Sequence, residues 1–169
     1  MDEDEAKRLS LQLMEIAWTA YLATIDANGF PHIRAMDNLR NKQRFPKLIQ
    51  FFKNHKDDFR VLFSTNTSSA KVNQIKKNPR VSVYYCNRGV NCKYCKQEGN
   101  RGLMLRGIIK IVEDPNVKKL LWHDYWVMYY PQGVDDPEYT VLSLYPVEGR
   151  YYQSLQSVTF TLKENKLKV

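Results

Sequence analysis

Two short stretches hold the side chains best suited to gripping an anion. In FSTNTSSAKVNQIKKNP, from Phe63 to Pro79, an apolar run ends in hydroxyls and opens a basic helix, so Ser68, Ser69 and Lys71 crowd its first turn. The first N–H groups of a helix lack intrahelical acceptors and carry partial positive charge, which suits them to anions. A hydroxyl and an ammonium beside them complete a phosphate cradle. The alternative is that Ser68 merely caps the helix and Lys71 is a solvated charge. In FPHIRAMD, from Phe30 to Asp37, strand alternation puts His32, Arg34 and Met36 on one face and Ile33 and Ala35 on the other. Arg34 carries the planar fork that matches phosphate oxygens, unless it is an ordinary exposed strand arginine.

A second kind of chemistry is suggested by cysteine. Cys86, Cys92 and Cys95 are the only three in the chain. The two-residue gap in Cys92-Lys-Tyr-Cys95 lets both thiolates reach one metal ion or form a disulfide. As metal ligands the three are one short of a closed zinc site, leaving the fourth place to His123, a partner-chain thiolate or water. Three independent thiols and a redox-active dithiol stay open beside the metal. No side chain stands out as an essential acid or base. His32 fits a polar strand position, and His123, between Trp122 and Asp124, fits a helix surface or interface.

The elements that must carry these groups follow from periodicity. Leu9, Leu13, Ile16 and Ala17 recur at helical spacing behind acidic residues, where the helix dipole favours acids. Tyr21 to Ile25 reads as a strand, Asn28-Gly29 as a two-residue hairpin turn, and Phe30 to Met36 as the return strand. A short helix over Pro46 to Lys53 precedes a strand over Phe59 to Ser64, then the basic helix. Arg80 to Tyr85 and Leu103 to Val112 are further strands, with a Gly- and Asn-rich excursion around residues 86–101 between them. Asp114-Pro115 opens a helix whose two apolar stripes, ending at Met128 and Tyr129, predict cover on both sides. Tyr139 to Tyr145, Tyr151-Tyr152 and Val158 to Leu162 read as late strands. Six or seven mostly antiparallel strands with inserted helices predict an α+β, mainly β, barrel or sheet in one domain spanning residues 1–169.

Composition excludes several classes. Hydrophobic residues make up 43% of the 169, enough for a core and too many for wholesale disorder. No apolar run approaches the roughly 20 residues of a membrane span, and the acidic start MDEDEAKRLS is unlike a secretory signal, so a soluble cytoplasmic protein is expected. The net charge of +8 is spread along the chain among acids. That pattern favours a basic surface or a small anionic ligand over nucleic acid.

The order AYLATIDANGFPHIRAM, VLFSTNTSSAKVNQIKKNPRVSVYY, LRGIIKIVEDP, a Trp-bearing helix and YPQGVDDPEYTVLSLYP resembles the pyridoxamine 5′-phosphate oxidase-like FMN-binding split barrels. It looks closest to their general stress protein 26-related branch, and the resemblance covers Leu9 to Tyr152. It implies a homodimer of split β-barrels with FMN bound at the subunit interface. Arg34 matches the strand arginine that holds the FMN phosphate. Ala35, Met36 and Asp37 match the residues running along the flavin. Ser64 and Thr65 match a strand-end pair near the ribityl chain and ring, and Ser69 and Lys71 match the phosphate cradle. Tyr129 and Tyr130 are candidates to cover the ring from the partner.

Departures from the family pattern bear on activity. Ala70 stands where the oxidase helix start has an arginine. Leu39 falls near a family lysine, Gly102 at a flavin-contacting glutamine, and YYQSLQSVTFTLKENKLKV lacks the Arg-rich substrate motif. A flavin-dependent oxidoreductase acting on another small molecule is therefore expected rather than pyridoxamine phosphate oxidation. A non-enzymatic flavin or redox sensor, and a heme or deazaflavin binder on the same fold, are the rival expectations.

Overall fold

The computed structural model describes residues 1–54, 59–87 and 100–162. Strands β1 (Thr19–Ile25), β2 (Pro31–Asp37), β3 (Val61–Asn66), β4 (Arg80–Asn87), β5 (Arg101–Ile111), β6 (Tyr139–Gln153) and β7 (Gln156–Thr161) form one antiparallel sheet. Helices α1 (Glu3–Ile16), α2 (Ile49–Asn54), α3 (Ala70–Lys77) and α4 (Pro115–Leu121) are inserted between or before them. The strand order is β2-β1-β4-β5-β6-β3, with β7 also on β6. The end strands β2 and β3 do not pair with one another, yet they line one cleft. The sheet thus curls into a split barrel, open along a single seam.

Strand β6 is the spine. Its first half pairs with β3, from Val61 opposite Leu144 to Asn66 opposite Tyr139, and its second half pairs with β7. Along the other edge it pairs with β5, where a bulge at Arg106/Gly107 shifts the register. The runs VLF in β3 and VLSL in β6, apolar except for Ser143, are buried along their length because both faces are covered. One face meets a core built from Leu13, Met14, Leu22, Phe63, Val83, Leu103, Leu105 and Leu142. The other face meets a second apolar cluster of Phe45, Phe52, Trp126, Tyr130 and Tyr139.

Three details differ from the sequence expectations. The first hairpin closes through residues 26–30, not a two-residue turn. Asp26 and Phe30 share a backbone hydrogen bond, the Asp26 carboxylate accepts from Asn28 and Phe30 N–H, and Gly29 takes φ 86°. The long apolar helix breaks at Trp122-His123: α4 stops, and residues 124–128 form a 3-10 turn capped by His123 Nδ1 accepting from Tyr125 N at 3.3 Å. A cap satisfies orphan N–H groups that a continuous helix would pair internally, so His123 is not on a helix face. The separate late strands before residue 154 are one strand, β6.

The end of α1 is tied to the loop after β2. Asn38 Nδ2 donates to the Met14 and Ala17 carbonyls at 2.8 and 2.6 Å, and Asn41 Nδ2 donates to Ile16 and Ala17. These buried amides satisfy helix C-terminal carbonyls and hold Trp18 against Arg44. Cys86 lies on β4 opposite Gly102 as a free thiol. Cys92 and Cys95, with most of the expected excursion, fall outside the described residues. Among the described residues no three His, Cys, Asp or Glu side chains group as a metal site, and no helix is long and apolar enough to cross a membrane.

Candidate functional site

The seam between β2 and β3 holds a cleft of about 670 Å³, within the size range of small-molecule sites. Arg34, Ala35, Met36 and Asp37 come from β2; Ser64, Thr65 and Asn66 from β3; Ala70 and Lys71 from the first turn of α3. Of the eight residues expected to bind a cofactor, seven line this cleft, and Ser69 precedes Ala70 at its edge as the N-cap of α3. An unclosed barrel leaves exactly this kind of concavity where two edge strands diverge beside a helix start.

Arg34 is half-buried and held by neutral acceptors. Nη1 donates to Thr24 Oγ1 at 2.6 Å and to the Leu22 carbonyl at 3.2 Å; Nη2 donates to Gln74 Oε1 at 3.2 Å. Lys71 Nζ donates to Thr65 Oγ1 at 2.9 Å. Among the described residues neither cation meets a carboxylate. Burial lowers the pKa of Arg34, and burial followed by the nearby Arg34 charge lowers that of Lys71. Two cations share a half-desolvated pocket, which is costly until an anion enters.

The two serines at the helix start have separate tasks. Ser68, the residue read as a possible cap, turns away: its Oγ donates to Glu138 Oε2 at 2.7 Å and its N–H to the same oxygen at 3.2 Å. Ser69 is the N-cap, but its side chain caps nothing, and Ser69 Oγ is buried without a hydrogen-bond partner. A buried, unpaired hydroxyl is rare because it forfeits its hydration. An anion at the α3 start would supply the missing partner.

The third wall is aromatic and comes from the turn after α4. Trp126, Tyr129 and Tyr130 face the cleft of their own chain, with Trp18, Thr19 and Arg44 at the β2 end. Tyr130 Oη donates to Asn66 Oδ1 at 3.3 Å, and Arg44 lies 5.0 Å from the Trp18 ring while pairing with Asp37 at 2.7 Å. Sequence reasoning missed Trp18, Arg44, Asn66 and Trp126. His32 pairs instead with Asp26, at 3.0 Å on the exposed hairpin end. At Gly102 an added Cβ would collide with the Tyr84 phenol, and neither residue lines the cleft.

Lys71 supplies a pH test. Its folded pKa lies below the ordinary lysine value, so between the two the unfolded chain binds more protons and folding stability rises with pH. At neutral pH the buried charge is therefore a liability. Lys71→Met should melt higher than wild type at pH 7, and that advantage should shrink in thermal scans as pH climbs toward the ordinary lysine value. An advantage constant with pH would refute the charge as its cause.

Comparison with known proteins places these features in context. The family model described as pyridoxamine 5′-phosphate oxidase matches residues 12–153. A crystal structure of a Clostridium acetobutylicum protein related to general stress protein 26 of B. subtilis, of the pyridoxinephosphate oxidase family, is 31% identical with TM-score 0.70, covering 96% of this chain and 99% of that one. General Stress Protein 26 from Bacillus anthracis str. Sterne superposes with TM-score 0.66 at 19% identity, covering 92% and 98%. A heme binding protein from Mycobacterium smegmatis shares the fold at 12% identity and TM-score 0.65, covering 92% of this chain and 57% of its own. No curated protein matches the chain.

Proposed function

The chain belongs to the pyridoxamine 5′-phosphate oxidase family, and from that premise we propose that it binds FMN in the seam cleft and acts as a flavin-dependent oxidoreductase on a small molecule. One observation carries the proposal: Arg34, Lys71 and the unpartnered Ser69 hydroxyl gather at the α3 start with no carboxylate beside either cation among the described residues. Such a set fits an anionic oxygen group such as a phosphate monoester. Arg34, Ser69 and Lys71 would hold the phosphate. Ala35, Met36, Asp37, Ser64 and Thr65 would line the rest of the cofactor, with Trp126 and Tyr130 on the opposite wall. FMN supplies hydride or electron transfer when bound, and the protein's part is to bind, orient and shield it.

Trp18, Tyr21, Ile33 and Tyr84 are large apolar side chains left exposed near this seam, with Tyr21 opposite Tyr84 across β1 and β4. That surface supports the homodimer expected of the family. Among the described residues no His or Cys lines the cleft, and Met36, Tyr129 and Tyr130 are the side chains there with an atom that could ligate iron, so heme is the rival ligand. The deciding measurement is the visible spectrum of the purified protein with an FMN titration. Flavin absorbance and saturable uptake support the proposal; failure to take up added FMN overturns it. Bleaching of bound flavin by NADH or NADPH then separates an enzyme from a sensor.

Ala70 is exposed on the cleft wall, where a longer side chain has room. Ala70→Arg should tighten FMN binding by about tenfold, the effect of one added charge-assisted bond. Quenching of flavin fluorescence reads the change, and an unaltered Kd would place the phosphate elsewhere.

A further inference from the structure

Arg34 has five N–H donors, and the structure accounts for three of them. Both hydrogens of Nη1 go to Thr24 Oγ1 and the Leu22 carbonyl, and one of Nη2 goes to Gln74 Oε1. Thr24 is fully buried on β1, and its hydroxyl donates in turn to Gln74 Oε1 at 2.6 Å. The amide oxygen of Gln74 and the hydroxyl of Thr24 thus occupy the outer end of the guanidinium together. Among the described residues, what remains is Nε–H and the second Nη2–H. These two lie on one edge of the planar group, parallel and spaced for two oxygens of one phosphate.

We propose that Thr24 and Gln74 are positioning residues: they turn the free edge of Arg34 toward a phosphate monoester and, being uncharged, leave its positive charge unspent. A carboxylate at position 74 would hold the guanidinium as firmly but neutralise it. A hydroxyl lost at position 24 would free Nη1 and let the fork rotate. The selectivity of the cleft for a phosphorylated ligand over its dephosphorylated form is then set two side chains away from the anion.

The proposal deepens the FMN assignment and rests on it for the ligand, so its test compares FMN, riboflavin and inorganic phosphate as probes. Gln74→Glu should weaken FMN binding by about 50-fold, the scale of a lost charge-assisted pair. Riboflavin, which has no phosphate, should bind within about twofold of wild type. Thr24→Val, nearly isosteric, should weaken FMN by about tenfold, and Thr24→Ser should restore it. A merely structural role would weaken FMN and riboflavin together, and that result, or unchanged FMN affinity in both variants, overturns the proposal. If wild type ignores FMN but gains thermal protection from inorganic phosphate that Gln74→Glu lacks, the flavin assignment falls and the positioning role stands. Indifference to both probes ends both.

Discussion

Replacing Arg34 with Met is expected to cost at least about 100-fold in FMN affinity while leaving the apoprotein as stable as before, or more so. Two charge-assisted hydrogen bonds to phosphate are worth about 3–6 kcal/mol together, and every 1.4 kcal/mol is tenfold in Kd. In the free protein the balance is opposite. The guanidinium is half-buried, has three neutral acceptors and, among the described residues, no carboxylate partner, and repels Lys71. Met keeps much of the stem volume and removes the uncompensated charge. Titration of flavin fluorescence and apoprotein melting curves check the two halves separately. Arg34→Lys should recover only part of the affinity, because an ammonium is a point charge and not a fork. A variant that melts far lower and binds FMN normally would mean that Arg34 serves the fold.

The second large effect is expected at Gly107→Ala, far from the cleft chemistry. Gly107 sits at the bulge between β5 and β6, where a Cβ would meet the Tyr145 carbonyl oxygen and lie 2.7 Å from Pro146 Cα. Both are backbone atoms of a buried ladder and cannot swing aside. Overpacking of this kind costs about 3 kcal/mol, which for a chain of this size lowers Tm by about 6–12 °C. Gly102→Ala provides the contrast. There the Cβ meets the phenol of Tyr84, a side chain that is 40% exposed and can rotate outward. Its cost should be much smaller, and equal losses at the two positions in thermal melts would remove the distinction between backbone and side-chain crowding.

How much of this was legible beforehand depended on whether local chemistry or distant packing set the outcome. Arg34 and Lys71 could be placed because each is fixed by its own element: strand alternation aims Arg34, and the turn into α3 places Lys71 one residue beyond Ala70, whereas Ser64 and Thr65 came from the family resemblance alone. The aromatic wall could not, since Trp126 reaches the cleft only because α4 stops and His123 caps a new turn. The stripes of apolar residues after Asp114 fitted a long helix equally well, and nothing local marked the break. Ser68 and Ser69 were indistinguishable as letters. Glu138, seventy positions on, decides between them by taking the Ser68 hydroxyl and N–H. Gly102 looked like a lost contact; in the fold it is the position that leaves room for the Tyr84 phenol. The hairpin after β1 was located correctly and its length was not, because Asp26 accepts two N–H groups and widens the turn.

The spine strand β6 has a consequence for the order in which the chain assembles. Its contacts with β7 close across a two-residue turn, whereas its contact with β3 joins Val61 to Leu144. Loop-closure entropy grows with the length enclosed, so hairpins form early and distant pairings wait for a partner surface. Strand β3 and the α3 turn behind it are therefore expected to dock late, onto a β4-β5-β6-β7 sheet already in place. One wall of the cleft, with Thr65, Ser69 and Lys71, exists only once that last strand is home. On that order, a chain able to hold an anion there would have finished folding, and partly folded forms would lack the groups to hold it.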